Sequence, residues 1–464
     1  METYELQLLR AMVAAQQHGD EAVQDVVANA LTAIPGVHVE RVRYTPKGTQ
    51  LRNEFAGAAS IASGERLAVV GRWHMSDGVD NATQEKNGDE KTKRSLIMFA
   101  HPDGEDPSHA PPGSGPSSWK YKPFEATLDN GRVHGWAIAD DIMGVAAGLC
   151  AMRSLHMKGR APRAELIMAS TPSKRHARGC AELVQRGYIA EAALYLHPAE
   201  SGAGLQEVKA YTSGQLLVKV RVRGALPVAP TIAPFCDHPH WKASITPEGD
   251  GMCAFAFTAV NAIDKILLVR DALMLLGDER QTRVHHPTIH AATGRSTSVL
   301  VSSITATAKS LSSVPLAAEL GAAMCFPPTE SLQDVMDEVT TTIDACANRD
   351  TWLREHPPEI EFVSGVSGAE VSEDSPLYAA VSESIAEATG AHPHVNPLHT
   401  SSDIRVPAVQ HGVPCVGFGS RSGNLAQNGL ADEWIDLEDF MRFVRVLEGV
   451  IARWCGLIET TSAE

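Results

Sequence analysis

Residues 95–103, SLIMFAHPD, place a histidine and an aspartate directly after a short run of apolar residues. Such a run between polar residues is typical of a strand that is buried on both faces of a parallel sheet. The same arrangement recurs at residues 164–175, AELIMASTPSKR, and at residues 192–200, AALYLHPAE. Because ligands of open α/β sheets bind at the carboxyl ends of the strands, we expect the polar residues after these strands to share one site.

Helical patterns separate these strands, and this alternation predicts an α/β domain with a largely parallel sheet covered on both faces. Beyond about residue 209 the pattern changes. QLLVKVRVRG (215–224) alternates like a half-exposed strand, and SLQDVMDEVTTTIDAC (331–346) has the apolar spacing of an amphipathic helix. We therefore predict a discontinuous α/β domain, residues 1–208 and 365–464, that carries an inserted α+β domain, residues 209–364.

The composition excludes several classes of protein. The 464 residues carry a net charge of −16, and no stretch concentrates the 40 lysines and arginines, so nucleic acid is not an expected partner. The apolar runs are far shorter than the roughly 18 residues of a membrane span, and METYELQLLRAMV lacks the features of a secretory signal. The eight cysteines are scattered without a CxxC pair, as is typical of reduced thiols. These features predict a cytoplasmic protein without a membrane partner.

A fourth segment, GWAIADDIMG (135–144), places Asp140 and Asp141 at the start of a predicted helix. Imidazole nitrogen and carboxylate oxygen are good ligands for zinc, manganese or cobalt, so the four segments together are compatible with a catalytic metal. Each segment alone also fits a simpler role. A His-x-Asp sequence after a strand is often a turn, and an Asp-Asp pair before a helix is often an N-cap.

The order of these segments resembles metallopeptidase family 20, the di-metal family of peptidase T, aminoacylase, acetylornithine deacetylase and succinyl-diaminopimelate desuccinylase. The family pattern runs from a strand with His-x-Asp through a Trp…Pro-Phe loop, an Asp before a helix, Thr-x-x-Glu-Glu and Glu-Pro. An inserted lid, a Gly-Gly-Thr-x-Asp loop and a late His before a Glu follow. Here the corresponding segments are FAHPD, SSWKYKPFEATLDNGRVHGWAIADDIMG, STPSKRHARGC, YLHPAE, HTSSDIR and LADEWIDLEDF. The resemblance covers essentially the whole chain and implies a zinc-peptidase-like catalytic domain with a lid that also dimerises.

The resemblance implies that the first metal is held by His101, Asp140 and His197. His197 stands where the family has the glutamate of Glu-Pro, and Glu200 competes with it as the third ligand. Asp103 is expected to orient the ring of His101, as second-layer carboxylates do for metal-bound histidines. Glu200 is also the expected general base.

The ligands that the family reserves for its second metal are missing. Lys174 and Arg175 stand at the Glu-Glu positions, and Asn428 and Gly429 stand where the late histidine is expected. An arginine cannot bind a cation, and it would repel a second divalent ion at short range. We therefore predict one divalent transition metal per chain (manganese, zinc or cobalt). Lys174 and Arg175 are then expected to bind an anionic substrate group or a developing negative charge.

Further residues have two open roles each. His399 stands in the Gly-Gly-Thr-x-Asp loop, where it lines the pocket or caps the chain at the surface. Arg405 in the same loop pairs with Asp403 or with a substrate carboxylate. Arg295 reaches substrate or forms an ion pair at a sheet edge. His238 or His240 lies where the family offers a histidine to the active site of the partner subunit.

The favoured function is hydrolysis of a carbon–nitrogen bond in a small, anionic molecule by water that the metal activates. Because the catalytic glutamate of the family is replaced, ordinary peptide hydrolysis is not favoured. One alternative is an aromatic aminohydrolase of the 5-nitroanthranilate type, which this chain resembles in chemistry alone. The other alternative is a non-catalytic binder of a small molecule. The resemblance also implies a homodimer or a larger even assembly.

Overall fold

The computed structural model describes residues 2–57, 61, 63–74, 94–102, 118–172, 177–199, 201–226, 259–308, 313–398, 402–423 and 430–460. The chain divides into two compact units. The first consists of Met1–Arg52, Ala58–Thr212 and Ala369–Glu464, and the second of Asn53–Gly57 and Ser213–Gly368. The boundaries expected from the sequence are 208/209 and 364/365, and the expected first domain includes Asn53–Gly57.

Strands and helices occur in both units. The strands are β1 (Val37–Tyr44), β2 (Phe55–Ala56), β3 (Arg66–Trp73), β4 (Leu96–Ala100), β5 (Thr127–Asp129), β6 (Arg132–His134), β7 (Arg160–Pro162), β8 (Leu166–Ser170), β9 (Ala192–Leu196), β10 (Glu207–Val208), β11 (Tyr211–Thr212), β12 (Gly214–Arg223), β13 (Ser298–Ala306), β14 (Ala317–Phe326), β15 (Glu359–Val366), β16 (Ala369–Glu370), β17 (His394–Val395), β18 (Cys415–Phe418), β19 (Trp434–Asp436) and β20 (Leu457–Glu459). The helices are α1 (Tyr4–Ala15), α2 (Asp20–Thr32), α3 (Met143–Met157), α4 (Arg178–Gln185), α5 (Ala262–Arg283), α6 (Pro287–Thr293), α7 (Leu332–Arg349), α8 (Thr351–Glu355), α9 (Pro376–Thr389), α10 (Arg405–His411) and α11 (Leu437–Cys455).

The first unit is built around a sheet with the strand order β1-β3-β8-β4-β9-β18. Strands β8, β4, β9 and β18 run parallel, and β3 is antiparallel to its neighbours β1 and β8. The three apolar runs of the sequence are therefore adjacent strands, which confirms the predicted α/β fold with a largely parallel sheet. Their carboxyl ends meet at one edge of the sheet, where ligands of such sheets bind.

Alternate side chains of β4 enter two different cores. Leu96, Met98 and Ala100 pack in the core that contains residues of α1, α2, α3 and α11. Ile97 and Phe99 pack in a second core with residues of α4. Because both faces of the strand are covered, the strand is continuously apolar instead of alternating. Among the helices of the described ranges, none is long and apolar enough to cross a membrane.

The second unit contains an antiparallel sheet with the strand order β13-β14-β12-β15-β2. Leu216, Val218 and Val220 of β12 share a core with apolar residues of α5 and α7. On the opposite face of β12, Arg221 donates to Glu319 at 2.6 Å. The alternation of QLLVKVRVRG thus reflects one core face and one ion-paired face, and the inserted α+β fold is confirmed.

Candidate metal centre

Two histidines and a threonine lie at the carboxyl ends of the three adjacent parallel strands. His101 follows β4, Thr171 follows β8 and His197 follows β9. All three residues are buried. The aromatic ring of Tyr195 lies close to both histidines, with its centroid 5.6 Å from that of His101 and 4.9 Å from that of His197. The ends of these three strands thus lie side by side at one edge of the sheet.

Asp140 and Asp141 lie in a π-helical turn, Ile138–Ile142, immediately before α3. Their backbone angles are not helical, and the peptide bond between them is cis. The backbone becomes helical at Ile142, the residue that directly follows Asp141. Asp141 therefore stands at the position of an N-cap, a role that the sequence also allows.

The start of α3 packs directly against the end of β9. A Cβ atom at Gly144 would lie 1.8 Å from the carbonyl oxygen of Leu196, so a residue with a side chain cannot take this position without a backbone shift. Leu196 directly precedes His197. The close approach therefore brings the turn with Asp140 and Asp141 against the histidine.

His197 and the two aspartates form a compact group of possible metal ligands. Nε2 of His197 lies 2.8 Å from Oδ1 of Asp140 and 3.3 Å from Oδ1 of Asp141. The ligand atoms of the three residues lie within 4.8 Å of one another. Tyr195 donates a hydrogen bond from its hydroxyl to Oδ2 of Asp141 at 3.0 Å. One nitrogen and two carboxylates are a suitable donor set for a divalent transition metal.

The imidazole ring of His101 is hydrogen-bonded to residues outside this group. Its Nδ1 lies 2.6 Å from the carbonyl oxygen of Thr171, and its Nε2 lies 2.9 Å from Oδ2 of Asp403. In this arrangement Nε2 faces Asp403 instead of Asp140. The structure thus brings the predicted ligands Asp140 and His197 together, adds Asp141, and places His101 beside them with another partner.

Arg405 and Asp403 form a buried ion pair. The guanidinium NH1 of Arg405 donates to Oδ1 of Asp403 at 2.8 Å, and only 3% of the Arg405 side chain is exposed. Burial by itself would raise the pKa of Asp403. The hydrogen bond from His101 and the charge of Arg405 outweigh this effect and hold the pKa well below its usual range. Of the two roles that the sequence allows for Arg405, the structure shows the pairing with Asp403.

Lys209, which the sequence reasoning missed, is buried beside His197. It lies between β10 and β11, and its backbone N–H and C=O both pair with Gly417 of β18, at 2.7 and 2.8 Å. Its Nζ donates to Nδ1 of His197 and lies 5.8 Å from the ring centroid of Tyr195. The sequence offered one indication that Lys209 is buried. In LQEVKAYT this lysine stands alone between the apolar residues Val208 and Ala210.

Seven of the predicted site residues lie outside the described ranges, namely Asp103, Lys174, Arg175, Glu200, His238, His240 and His399. Asn428 and Gly429, at the expected position of the late histidine, also lie outside them. Arg295 belongs to the second unit, where it is exposed just after α6.

Comparisons with known proteins agree with this architecture. The family model "Peptidase family M20/M25/M40" matches residues 110–453. The N-formyl-4-amino-5-aminomethyl-2-methylpyrimidine deformylase of Halalkalibacterium halodurans is 24% identical over 375 residues, which cover 78% of this chain and 80% of that enzyme. These matches confirm the resemblance that the order of the motifs predicts.

Two solved structures share the fold. Aminopeptidase PepT of Bacillus cereus superimposes with a TM-score of 0.63 at 14% identity, over 97% of this chain and 96% of that one. A dinuclear metal-binding peptidase of the M20 family from Bacillus subtilis superimposes with a TM-score of 0.57 at 10% identity, over 96% and 97% of the two chains. The chain belongs to peptidase family M20/M25/M40, and it is a hydrolase of carbon–nitrogen bonds.

Proposed function

We propose that this protein is a metal-dependent amidohydrolase that cleaves a carbon–nitrogen bond in a small molecule other than a peptide. The observation that carries the proposal is the group of His197, Asp140 and Asp141 at the carboxyl edge of the sheet. These three residues would hold one manganese, zinc or cobalt ion, because their nitrogen and oxygen atoms suit such an ion. His101 and Glu200 remain proposed further ligands on the family pattern.

A divalent ion held there would supply Lewis acidity to the scissile carbonyl and to the attacking water. The residues of the chain orient the site. Tyr195 fixes the carboxylate of Asp141 through its hydroxyl, and the carbonyl oxygen of Pro198 lies 2.8 Å from Nδ1 of His197, where it can fix the imidazole ring. Burial of His197 and Asp141 excludes water that would compete for them. We assign the role of general base to Glu200, the carboxylate three residues after His197.

The number of metal ions is proposed from the sequence. The Bacillus subtilis relative is a dinuclear metal-binding peptidase. In this chain Lys174 and Arg175 take the positions of the family glutamates, and Asn428 and Gly429 take the place of the late histidine. Cationic side chains do not ligate metal ions, so we infer one ion per chain. Lys174 and Arg175 then bind negative charge on the substrate or in the transition state.

The choice of substrate follows from the same replacements. The relative from Halalkalibacterium halodurans is a deformylase of an aminomethylpyrimidine, which is not a peptide. A formyl, carbamoyl or acyl amide with a carboxylate would suit a site that carries Lys174 and Arg175. Loss of the family glutamate also favours a second candidate, the aromatic aminohydrolase of the 5-nitroanthranilate type. An electron-poor ring carries the added negative charge itself, and the proton that the attacking water loses would leave with the amine as ammonia. We propose that the protein acts in the cytoplasm as a homodimer or a larger even assembly.

Metal analysis combined with a substrate panel tests the proposal. The full chain is loaded with manganese, zinc or cobalt, and its metal content is measured by mass spectrometry. The substrate panel consists of N-formyl, N-carbamoyl and N-acyl amines, each with and without a carboxylate. 5-Nitroanthranilate and tripeptides are assayed beside them. We expect about one ion per chain and turnover of carboxylated amides.

Matched variants sharpen this experiment. His197→Gln and Asp140→Asn should lose both the metal and the activity. Lys122→Met, at a side chain that is 77% exposed, should keep both. Turnover restricted to peptides would contradict the proposal, and so would a folded protein that binds a panel compound without metal or turnover. Turnover of 5-nitroanthranilate alone would favour the second candidate.

A further inference from the structure

Among the described residues, Nδ1 of His197 contacts one hydrogen-bond acceptor and one hydrogen-bond donor. The carbonyl oxygen of Pro198, at 2.8 Å, can only accept a hydrogen bond. The ammonium of Lys209 can only donate one, and it also lies within hydrogen-bonding distance of the same nitrogen. A ring nitrogen that carries a proton donates, and one without a proton accepts. A neutral His197 carries one proton, either on Nδ1 or on Nε2. With the proton on Nδ1 the ring donates to Pro198, and with the proton on Nε2 it accepts from Lys209 at Nδ1.

The other ring nitrogen is coupled to this choice. Nε2 of His197 lies 2.8 Å from Oδ1 of Asp140. When Lys209 donates to Nδ1, the proton of the neutral ring is on Nε2 and is donated to Asp140. In that tautomer Nε2 has no lone pair for a metal ion. When Nδ1 carries the proton and donates to Pro198, the lone pair of Nε2 is available as a ligand.

We propose that Lys209 is a positioning residue that sets the tautomer of His197 and thereby opposes metal binding at Nε2; this inference rests on the metal site of the proposed function. Binding of an ion requires that the hydrogen bond from Lys209 to Nδ1 is exchanged for the one to Pro198.

The fold keeps this lysine in place. Lys209 is 1% exposed, and its backbone is paired on both sides with Gly417 of β18. The residues that flank it, Val208 and Ala210, belong to the main core of the first unit. A Cβ atom at Gly417 would lie 3.2 Å from Cβ of Lys209, so the two strands meet closely at this point. The backbone pairing and the packing of its neighbours therefore hold the lysine inside the first unit.

The consequence is a metal site with reduced affinity. A ligand histidine in most metal sites has a carboxylate, a carbonyl or water on its second nitrogen, which stabilises the metal-binding tautomer. Here a carbonyl and an ammonium are both placed at that nitrogen. Lys209→Met removes the donor and the charge at nearly constant volume. We expect this variant to bind Zn²⁺ at least roughly tenfold more tightly than the wild type.

The first experiment measures the affinity of the metal-free full chain for Zn²⁺ by competition with a chelating indicator. Wild type, Lys209→Met and the exposed control Lys122→Met are compared at one pH. Tighter binding by Lys209→Met alone supports the inference. Unchanged or weaker binding by a folded Lys209→Met protein overturns it while leaving the metal site intact. If neither wild type nor Lys209→Met binds Zn²⁺, the inference and the proposed metal site both fail.

The second experiment uses the wild type and does not depend on the folding of a core variant. Histidine ¹⁵N spectra are recorded without and with Zn²⁺, and the signal of His197 is identified as the one absent from His197→Gln. We expect the proton on Nε2 in the metal-free protein and on Nδ1 in the Zn²⁺-loaded protein. A proton on Nδ1 in both states would overturn the inference, because Lys209 would then not set the tautomer.

Discussion

Nε2 of His101 lies 2.9 Å from a carboxylate oxygen of Asp403, although 302 residues separate the two in the chain. The other carboxylate oxygen accepts a hydrogen bond from Arg405 at 2.8 Å. All three side chains are buried. Asp403 therefore provides a negative charge beside a buried guanidinium and also contacts the histidine at the end of β4.

Asp403→Asn should lower the free energy of unfolding by about 3 kcal/mol, because it removes the charge that faces the buried guanidinium of Arg405. Urea unfolding at pH 7 measures this difference. The double variant Asp403→Asn with Arg405→Met should be more stable than Asp403→Asn alone, since it no longer buries the arginine. Equal free energies of unfolding for the two variants would mean that the charge of Arg405 is not destabilising in the absence of the Asp403 carboxylate.

A second prediction concerns pH and Asp350 in the second unit. This carboxylate accepts hydrogen bonds from the backbone of Trp352 and Leu353 at 3.0 and 2.9 Å and from Nζ of Lys265 at 2.7 Å. Burial would raise its pKa, but the lysine and the backbone donors outweigh burial, and the pKa is lowered. A carboxyl group with a lower pKa in the folded state stabilises the fold above its unfolded pKa and loses this contribution as the pH falls through the folded pKa.

Asp350→Ala should therefore lower the free energy of unfolding by about 1–2 kcal/mol at pH 7. The difference from wild type should shrink as the pH falls below about 4. Chemical denaturation of the two proteins across this range is the measurement. Asp350→Asn keeps the cap but loses the charge, and it should fall between them. A difference that stays constant with pH would show that the charge of Asp350 contributes nothing.

The parts of the fold that the sequence predicted are those with a local pattern. β4, β8 and β9 are continuously apolar because both faces are covered, and β12 alternates because one face carries ion pairs. The pair of Asp140 and His197 could be predicted because each residue stands directly beside such an element. Strand ends and helix starts meet at the edge of a parallel sheet by topology alone.

The contacts that the sequence did not predict are between distant segments. Asp403 meets His101 only after the C-terminal part of the chain has joined the sheet. Lys209 belongs to a segment of very short strands, too short for a periodic pattern to show which side chains turn inward. Asp141 lies beside Asp140 and His197 in the group of possible metal ligands, and its backbone angles in the turn before α3 are not helical. The residue types alone do not specify such angles, which also depend on how the turn packs against the end of β9.

A third prediction concerns assembly through the second unit. Within the described part of the second unit, β13 is one of the two edge strands of its sheet, and its residues Leu300 and Ile304 are 61% and 40% exposed. An edge strand with exposed apolar side chains is a template for pairing with another chain. We expect a dimer in light scattering at micromolar concentration, and Leu300→Lys with Ile304→Lys should convert it to a monomer. The control is Leu128→Lys in the first unit, at a side chain that is 42% exposed. A monomeric wild type, or a dimeric double variant, would contradict this prediction.

The last prediction reverses the replacement of the family glutamates. Lys174→Glu with Arg175→Glu would place two carboxylates against an anionic substrate, which removes an attraction and adds a repulsion of about a kcal/mol each. The kcat/KM for the native substrate should therefore fall at least roughly tenfold, which corresponds to about 1.4 kcal/mol. Metal content should stay below two ions per chain, because Asn428 and Gly429 do not supply the late histidine.

Steady-state kinetics with metal analysis on the same sample decide this prediction. The matched control makes the same change of charge elsewhere, at Lys158 and Arg186, whose side chains are 50% and 43% exposed. Lys158→Glu with Arg186→Glu should keep native turnover, because a screened surface charge has little effect on a distant buried site. If the variant at Lys174 and Arg175 also keeps native turnover, the pair does not bind substrate charge. The replacement of the glutamates would then have removed a second metal without providing a new contact to the substrate.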